Sequence, residues 1–213
     1  MPLTDKERAL ITSLHQLDLH ELMDSNGILD LSGCKALTDL GTLTKLKKDL
    51  WGLDLSGCIA LTDLGPLARL TNLRELYLRK CQMLLNLEPL AGLTRLKTLN
   101  LSGSFQNLEP LKGLTGLQKL YMSDFIAINL GPLAGLTGLQ VLDLSGSDSS
   151  INLGPLAGLT GLQMLDLSGC NSPINLGPLA GLTGLQVLDL SGCSTLENLD
   201  ALAGLTGCKV IGP

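Results

Sequence analysis

One short pattern recurs along this chain and limits its fold more than any other feature. Leu-x-x-Leu-x-Leu begins at Leu50, Leu73, Leu96, Leu117 (with Met122 as its last apolar residue), Leu139, Leu162 and Leu185, at intervals of 21 to 23 residues. A degenerate earlier copy starts at Asn26 (Leu29, Leu31), and a last fragment starts at Cys208 (Ile211). Two late copies are nearly identical: Ile151–Leu167 reads INLGPLAGLTGLQMLDL and Ile174–Leu190 reads INLGPLAGLTGLQVLDL. Self-similarity at this period marks a chain wound into stacked coils. In Leu185–Leu190 a strand of period two sends Leu188 and Leu190 inward and leaves Gln186, Val187 and Asp189 on the open side or its margin. Gly192 then turns the chain, and Leu196, Leu199, Leu202 and Leu205 carry it back across the stack. Gly and Pro on that return favour 3₁₀ or extended turns over full α-helix. A single coil cannot bury enough apolar surface to offset its ordering entropy, so stability comes from its neighbours and the ends need caps.

Composition agrees with this architecture. Leucine is about a quarter of the chain, whereas ordinary usage is far lower. Aromatics are 2%, so leucine and not aromatic packing fills the interior. Charged residues are 16% and hydrophobic residues 45%, the opposite of a disordered chain. The net charge is -5 and the pI about 4.9, which lacks the basic footprint of a nucleic-acid binder. The whole of the excess lies late: residues 131–213 carry Asp143, Asp148, Asp166, Asp189, Glu197 and Asp200 against Lys209, and residues 1–130 are balanced.

The repeats resemble the leucine-rich repeat family, in particular the short bacterial internalin-like subtype with 21–24-residue repeats. There a segment like D-L-x-P-L-x-x-L-T-x-L precedes the L-x-x-L-x-L strand, and the likeness covers about residues 26–211. The resemblance implies a right-handed α/β solenoid: a parallel β-sheet on the concave face, a 3₁₀ or irregular convex side and an N-terminal helical cap. It also implies that the ninth position of each repeat, Asn or Cys in the family, caps backbone groups in the turn. Cys34, Cys58, Cys81, Cys170 and Cys193 hold that slot here, with Ser104, Phe125 and Ser147 as departures. Six cysteines also permit a disulfide reading. The place of the first five in one repeated slot favours buried free thiols, and the lack of C-x-x-C argues against zinc.

The domain reading is an N-terminal helical cap over 1–25 and a solenoid over 26–213, of about eight repeats plus a partial strand. Thr4-x-x-Glu7 fits a capping box, and Ala9, Leu10, Leu14, Leu17 and Met23 follow at helical spacing. The alternative is a first degenerate repeat on Leu14-x-x-Leu17-x-Leu19. The end, Ala203 to Pro213, starts another strand and stops. We expect either a longer parent protein or an end that docks on a partner or associates end-to-end with a second copy. No leader or membrane span is expected, because Gly, Pro, Asp or Thr interrupts every leucine run. Free cysteines and the missing leader favour a cytoplasmic location, with a secreted effector left open.

Catalytic constellations are not evident. His15 and His20 are five apart in the cap, and no histidine follows to serve as a base for the cysteines and serines. The Gly-Pro-Leu-Ala-Gly stretches read as structural turns, not phosphate loops. No cofactor, metal site or catalytic residue is expected.

The strand positions that face outward are more informative. Positions two, three and five of successive repeats are Trp51, Gly52, Asp54; Arg74, Glu75, Tyr77; Lys97, Thr98, Asn100; and Gln118, Lys119, Tyr121. Trp51, Tyr77 and Tyr121 are three of the five aromatics in the chain. Trp, Tyr and Arg are enriched at binding hot spots. The expected contact patch is therefore Trp51, Arg74, Tyr77, Arg79, Lys97, Asn100, Lys119 and Tyr121; the bland alternative is drift on a solvated face. The later rows are monotonous: Gln140, Gln163, Gln186; Val141, Met164, Val187; and Asp143, Asp166, Asp189. Stacked carboxylates repel unless hydrogen bonds or cations intervene, so this acidic ladder is either solvated by its serines or a weak cation or basic-partner site.

The expected function is non-enzymatic protein–protein recognition on the concave sheet face, with no nucleic-acid or membrane partner and a protein partner left unidentified. The rivals are a sensor or autoinhibitory segment of a larger signalling protein, and a structural repeat scaffold without a dedicated ligand.

Overall fold

A computed structural model describes residues 3–4, 14–15, 17–46, 48–101, 107–125, 129–147 and 150–212. The strands are β1 (Ile28–Asp30), β2 (Gly52–Asp54), β3 (Glu75–Tyr77), β4 (Thr98–Asn100), β5 (Lys119–Tyr121), β6 (Val141–Asp143), β7 (Met164–Asp166), β8 (Ile174–Asn175), β9 (Val187–Asp189), β10 (Leu196–Glu197) and β11 (Lys209–Ile211). Nine of them form one parallel sheet in chain order, β1 to β7, then β9 and β11. β8 and β10 pair separately on the return path. Each main strand sets one residue between two outward-facing neighbours, as period two requires. The central row runs through Leu29, Leu53, Leu76, Leu99, Leu120, Leu142, Leu165 and Leu188, all fully buried, and ends at Val210, which is 41% exposed.

The coils are tied by a backbone ladder that continues beyond the strands. From β1 to β7 the carbonyl before the strand accepts two N–H groups of the next coil: Trp51 O takes Arg74 N at 2.7 Å and Glu75 N at 3.1 Å, and Gln163 O takes Gln186 N at 2.7 Å and Val187 N at 3.0 Å. Past the strand, Leu55 N donates to Tyr77 O at 2.9 Å and Leu144 N to Asp166 O at 2.8 Å.

The turn after the strand is built by Asp-x-Ser. The carboxylates of Asp54, Asp143, Asp166 and Asp189 each accept the N–H of the serine two residues on, at 2.8–2.9 Å. The next residue then adopts a left-handed conformation, φ +75° at Gly57 and +67° at Gly169. Lys80 and Asp124 occupy the same slot at φ 60°, a conformation that glycine adopts without strain and other L-residues do not.

The ninth-position cysteines then point inward. The thiols of Cys58, Cys81, Cys170 and Cys193 donate to the carbonyls of Leu31, Leu55, Leu144 and Leu167 of the preceding coil, at 3.1–3.6 Å. All six cysteines are free, five are buried and Cys208 is half-buried. Burial pushes the Cys58 thiol up to about 12 and the Cys81 thiol to about 11. Ser147 and Phe125 fill the slot as buried residues, while Ser104 lies outside the described residues.

Short 3₁₀ turns line the convex side, from Gly41–Leu46 to Leu199–Gly204. Most are opened by a side-chain acceptor that takes the N–H two residues on: Asp39 and Asp63 at 2.7 Å, Asn86, Asn107, Asn129 and Asn152 at 2.9 Å, Asn175 at 2.8 Å. Pro66, Pro89, Pro110, Pro132, Pro155 and Pro178 follow within the first turn, where a missing N–H costs no bond.

At the N-terminal side a single helical turn, α1 (Leu19–Leu22), is capped by Asp18, whose carboxylate accepts His20 N at 3.1 Å. Leu19 therefore opens a helix and not a repeat strand. Glu7 of the expected capping box and most of the cap helix, over 5–13, lie outside the described residues. A turn at Asp24–Gly27 then leads into β1. The Asp24 carboxylate accepts Asn26 N at 2.8 Å and Ile28 N at 2.9 Å, and these bonds hold its pKa below the usual carboxylate value. In the last coil Leu199 is 57% exposed and Leu202 half-buried, whereas Leu176 and Leu179 one coil earlier are fully buried. That contrast measures how much of each coil's burial comes from its neighbour.

Candidate functional site

The strands that carry the expected patch hold it in three rows. Trp51, Arg74 and Lys97 form the row that enters the strands, joined N–H to carbonyl. Gly52, Glu75, Thr98 and Lys119 form the next. Asp54, Tyr77, Asn100 and Tyr121 form the last. Tyr77 and Tyr121 thus share a row with Asn100 between them, about 10 Å apart at two strand spacings. Trp51 stands at the opposite end of the strands. Arg79 lies beyond β3 in the turn, its side chain exposed and its carbonyl accepting Gly57 N at 2.7 Å.

Local contacts fix several of these side chains. The Arg74 guanidinium stacks over the Trp51 ring at 4.5 Å from its centre. The chain also comes close to the indole at Gly27, where an added Cβ would meet Trp51 at 3.5 Å. The indole still leaves 46% of Trp51 exposed. Gly52 gives the neighbouring coil room, since a Cβ there would meet Ile28 at 2.9 Å. The Tyr77 hydroxyl donates to Glu75 at 2.9 Å, and burial, then that bond and its charge, push the phenol up to about 12. Lys97 turns along the flank and donates to Gly116 O at 3.1 Å, so its ammonium serves the edge more than the sheet. Lys119 is exposed, and Asn100 and Tyr121 are half-buried.

Two cavities adjoin this patch. A cleft of about 720 Å³ is lined by Asp24 to Ile28, Lys48, Asp49, Trp51, Arg74 and Glu75. A notch of about 120 Å³ is lined by Lys48, Trp51, Asn72, Arg74 and Arg95. Sequence reading missed Lys48, Asn72 and Arg95 because they precede the strand frame. The signal was present all the same: the residue before each repeat is Asp49, Asn72 and Arg95 in the early coils, and Gly116, Gly138, Gly161, Gly184 and Gly207 afterwards.

Asp143, Asp166 and Asp189 occupy one continuous row, as expected. Their carboxylates serve the turns, and Ser145 and Ser191 add hydroxyl bonds of 2.6 Å to Asp143 and Asp189. Among the described residues no group of three or more His, Cys, Asp or Glu is arranged to hold a metal ion. No helix among them is long and apolar enough to cross a membrane. His15 and His20 are both exposed, with His15 Nδ1 3.6 Å from an Asp39 carboxylate oxygen.

A profile for leucine rich repeats (2 copies) matches residues 71–116. No curated protein sequence matches the chain. Among solved structures, internalin C2 from Listeria monocytogenes is 32% identical at a TM-score of 0.72, over 83% of this chain and 76% of that one. Internalin F from the same organism is 27% identical at a TM-score of 0.74, over 89% of this chain and 57% of that one. TLR13, in a complex with single-stranded RNA, is 26% identical at a TM-score of 0.69, over 86% of this chain and 27% of that one.

Proposed function

Since the chain belongs to the internalin-like leucine-rich repeat proteins, we propose that it is a non-enzymatic recognition module that grips a protein partner on the concave sheet face. Binding of partners is the general business of this fold, and its extended inner surface suits it to that task. The contact patch is Trp51, Arg74, Tyr77, Arg79, Lys97, Asn100, Lys119 and Tyr121. One observation carries the reading: along the same backbone rows, outward positions differ from coil to coil between β2 and β5 and repeat from β6 to β9. Close packing on Ile28 fixes Gly52 and the turn fixes Asp54, but Arg74, Lys97, Asn100, Lys119 and Tyr121 fill no core position, so the core does not impose their variety. Hot spots combine scarce aromatics with Arg, and this stretch has both.

The test is a pull-down with the intact chain and with Trp51→Ala/Tyr77→Ala/Tyr121→Ala. Partner recovery drops at least about tenfold in the triple variant, since each hot-spot truncation typically costs 2 kcal/mol or more. The matching Gln140→Ala/Gln163→Ala/Gln186→Ala variant retains recovery. Equal recovery from all three proteins would remove the patch and leave the fold intact.

A further inference from the structure

The 120 Å³ notch on the flank has a charge pattern that the sheet rows do not. Three of its five lining residues are cations, Lys48, Arg74 and Arg95, and none is a carboxylate. Both arginines are held in place before any ligand arrives. Arg74 lies over the indole of Trp51 and, among the described residues, its guanidinium makes no hydrogen bond or ion pair. Arg95 donates to the Asn72 side chain at 2.6 Å, and Asn72 in turn donates to Lys48 O at 3.4 Å, which ties coils two, three and four together at this point. A guanidinium fixed by stacking keeps its forked donors for an oxyanion, and prior ordering lowers the entropy cost of binding.

We infer that Lys48, Arg74 and Arg95, walled by Trp51 and Asn72, form a receptor for one oxyanionic side chain of the protein partner. This deepens the recognition reading above and rests on it. The group is a carboxylate or a phosphate or sulfate ester; the notch volume admits one such group and little more. A polyanion is disfavoured. Asp24, Asp49 and Glu75 line the adjoining 720 Å³ cleft, which shares Lys48, Trp51 and Arg74 with the notch. A backbone bearing a phosphate on every unit would bring its second charge against those carboxylates. An isolated anionic residue flanked by neutral or basic ones avoids that repulsion.

The chain has one tryptophan, so its single indole N–H resonance reports on the notch without assignment. The protein is titrated with inorganic phosphate, with a tetraglutamate peptide and with a single-stranded oligouridylate, each at ionic strength matched with sodium chloride. Phosphate or the glutamate peptide shifts the indole resonance saturably, and whichever binds more tightly identifies the source of the anion. Arg74→Gln and Arg95→Gln each weaken that binding at least about tenfold, the loss expected for a charge-assisted pair. Lys112→Gln, exposed after the 3₁₀ turn Glu109–Leu111 and away from the notch, leaves it unchanged, and far-UV circular dichroism confirms that the variants fold. The inference fails if phosphate and the peptide act no differently from chloride, if either arginine variant binds as the parent does, or if oligouridylate binds more tightly than both. A partner captured through the aromatic residues by a protein whose notch ignores anions would overturn this inference alone and leave recognition standing.

Discussion

The sheet between β2 and β5 and the sheet between β6 and β9 share a backbone and differ in almost everything mounted on it. In the first stretch the outward rows read Gly52, Glu75, Thr98, Lys119 and Asp54, Tyr77, Asn100, Tyr121; in the second they read Val141, Met164, Val187 and Asp143, Asp166, Asp189. The central leucines do not notice the change: Leu76 and Leu165 are equally and completely buried. Architecture and surface are thus written in separate positions of one repeat. One coil's face differs from the next in the early stretch while the core beneath it stays the same.

The sharpest way to break that separation is to truncate the core in both stretches. Leu76→Ala and Leu165→Ala each cost about 2–5 kcal/mol in urea unfolding, the range for a buried leucine that leaves a cavity. Leu199→Ala, 57% exposed, costs under about 0.5 kcal/mol. Clearly unequal losses at 76 and 165 would mean that the two stretches do not share one core.

A smaller effect is expected at the left-handed turn, where the stretches differ in backbone chemistry. Gly169→Ala forces a side chain into φ +67° and costs about 1–2 kcal/mol. Lys80→Gly relieves the same strain in the early stretch and, net of chain entropy, raises stability by about 0.5–1 kcal/mol. If Lys80→Gly also weakens partner capture, the strain at coil three serves binding.

Smallest near neutral pH, and visible only above pH 9, is the thiol effect. Burial raises the folded pKa of Cys58 and Cys81 above the ordinary 9.0, to about 12 and about 11. A thiol whose folded pKa is raised favours the folded state fully below the unfolded pKa, and that contribution is lost as pH climbs through the folded value. Stability measured by urea midpoint therefore falls between pH 9 and pH 12, less so in Cys58→Ala. At pH 8 an aromatic disulfide reagent titrates Cys208 first and the buried five only in denaturant; early modification of Cys170 or Cys193 would show that the later coils open more readily.

The leucine frame, the strand starts and the inward cysteines were legible because each depends on a side chain that must be buried at a fixed interval. The register follows once Leu53, Leu76 and Leu99 are set in one row. Two features were harder to read. The Asn86, Asn107 and Asn129 acceptors recur as faithfully as the leucines, but Asn-Leu-Glu and Asn-Leu-Gly look like ordinary loop composition until the N–H two residues on is seen to need a partner. The anion notch escaped because it is assembled from residues that precede three different strands, and only the fold shows that Lys48, Asn72, Arg74 and Arg95 meet. Trp51 was singled out as a scarce aromatic at an outward strand position, whereas the structure shows what it holds, the Arg74 guanidinium.

The bifurcated carbonyls that link each coil to the next make no reference to which coil they serve. A gene that gains or loses one 23-residue unit between Ile151 and Leu190 keeps every such link and both ends of the molecule. What changes is the arc separating the aromatic stretch from whatever the far coils touch. The uniform half then behaves as an adjustable spacer, one whose length evolution can reset in steps of a single strand without disturbing the surface it carries.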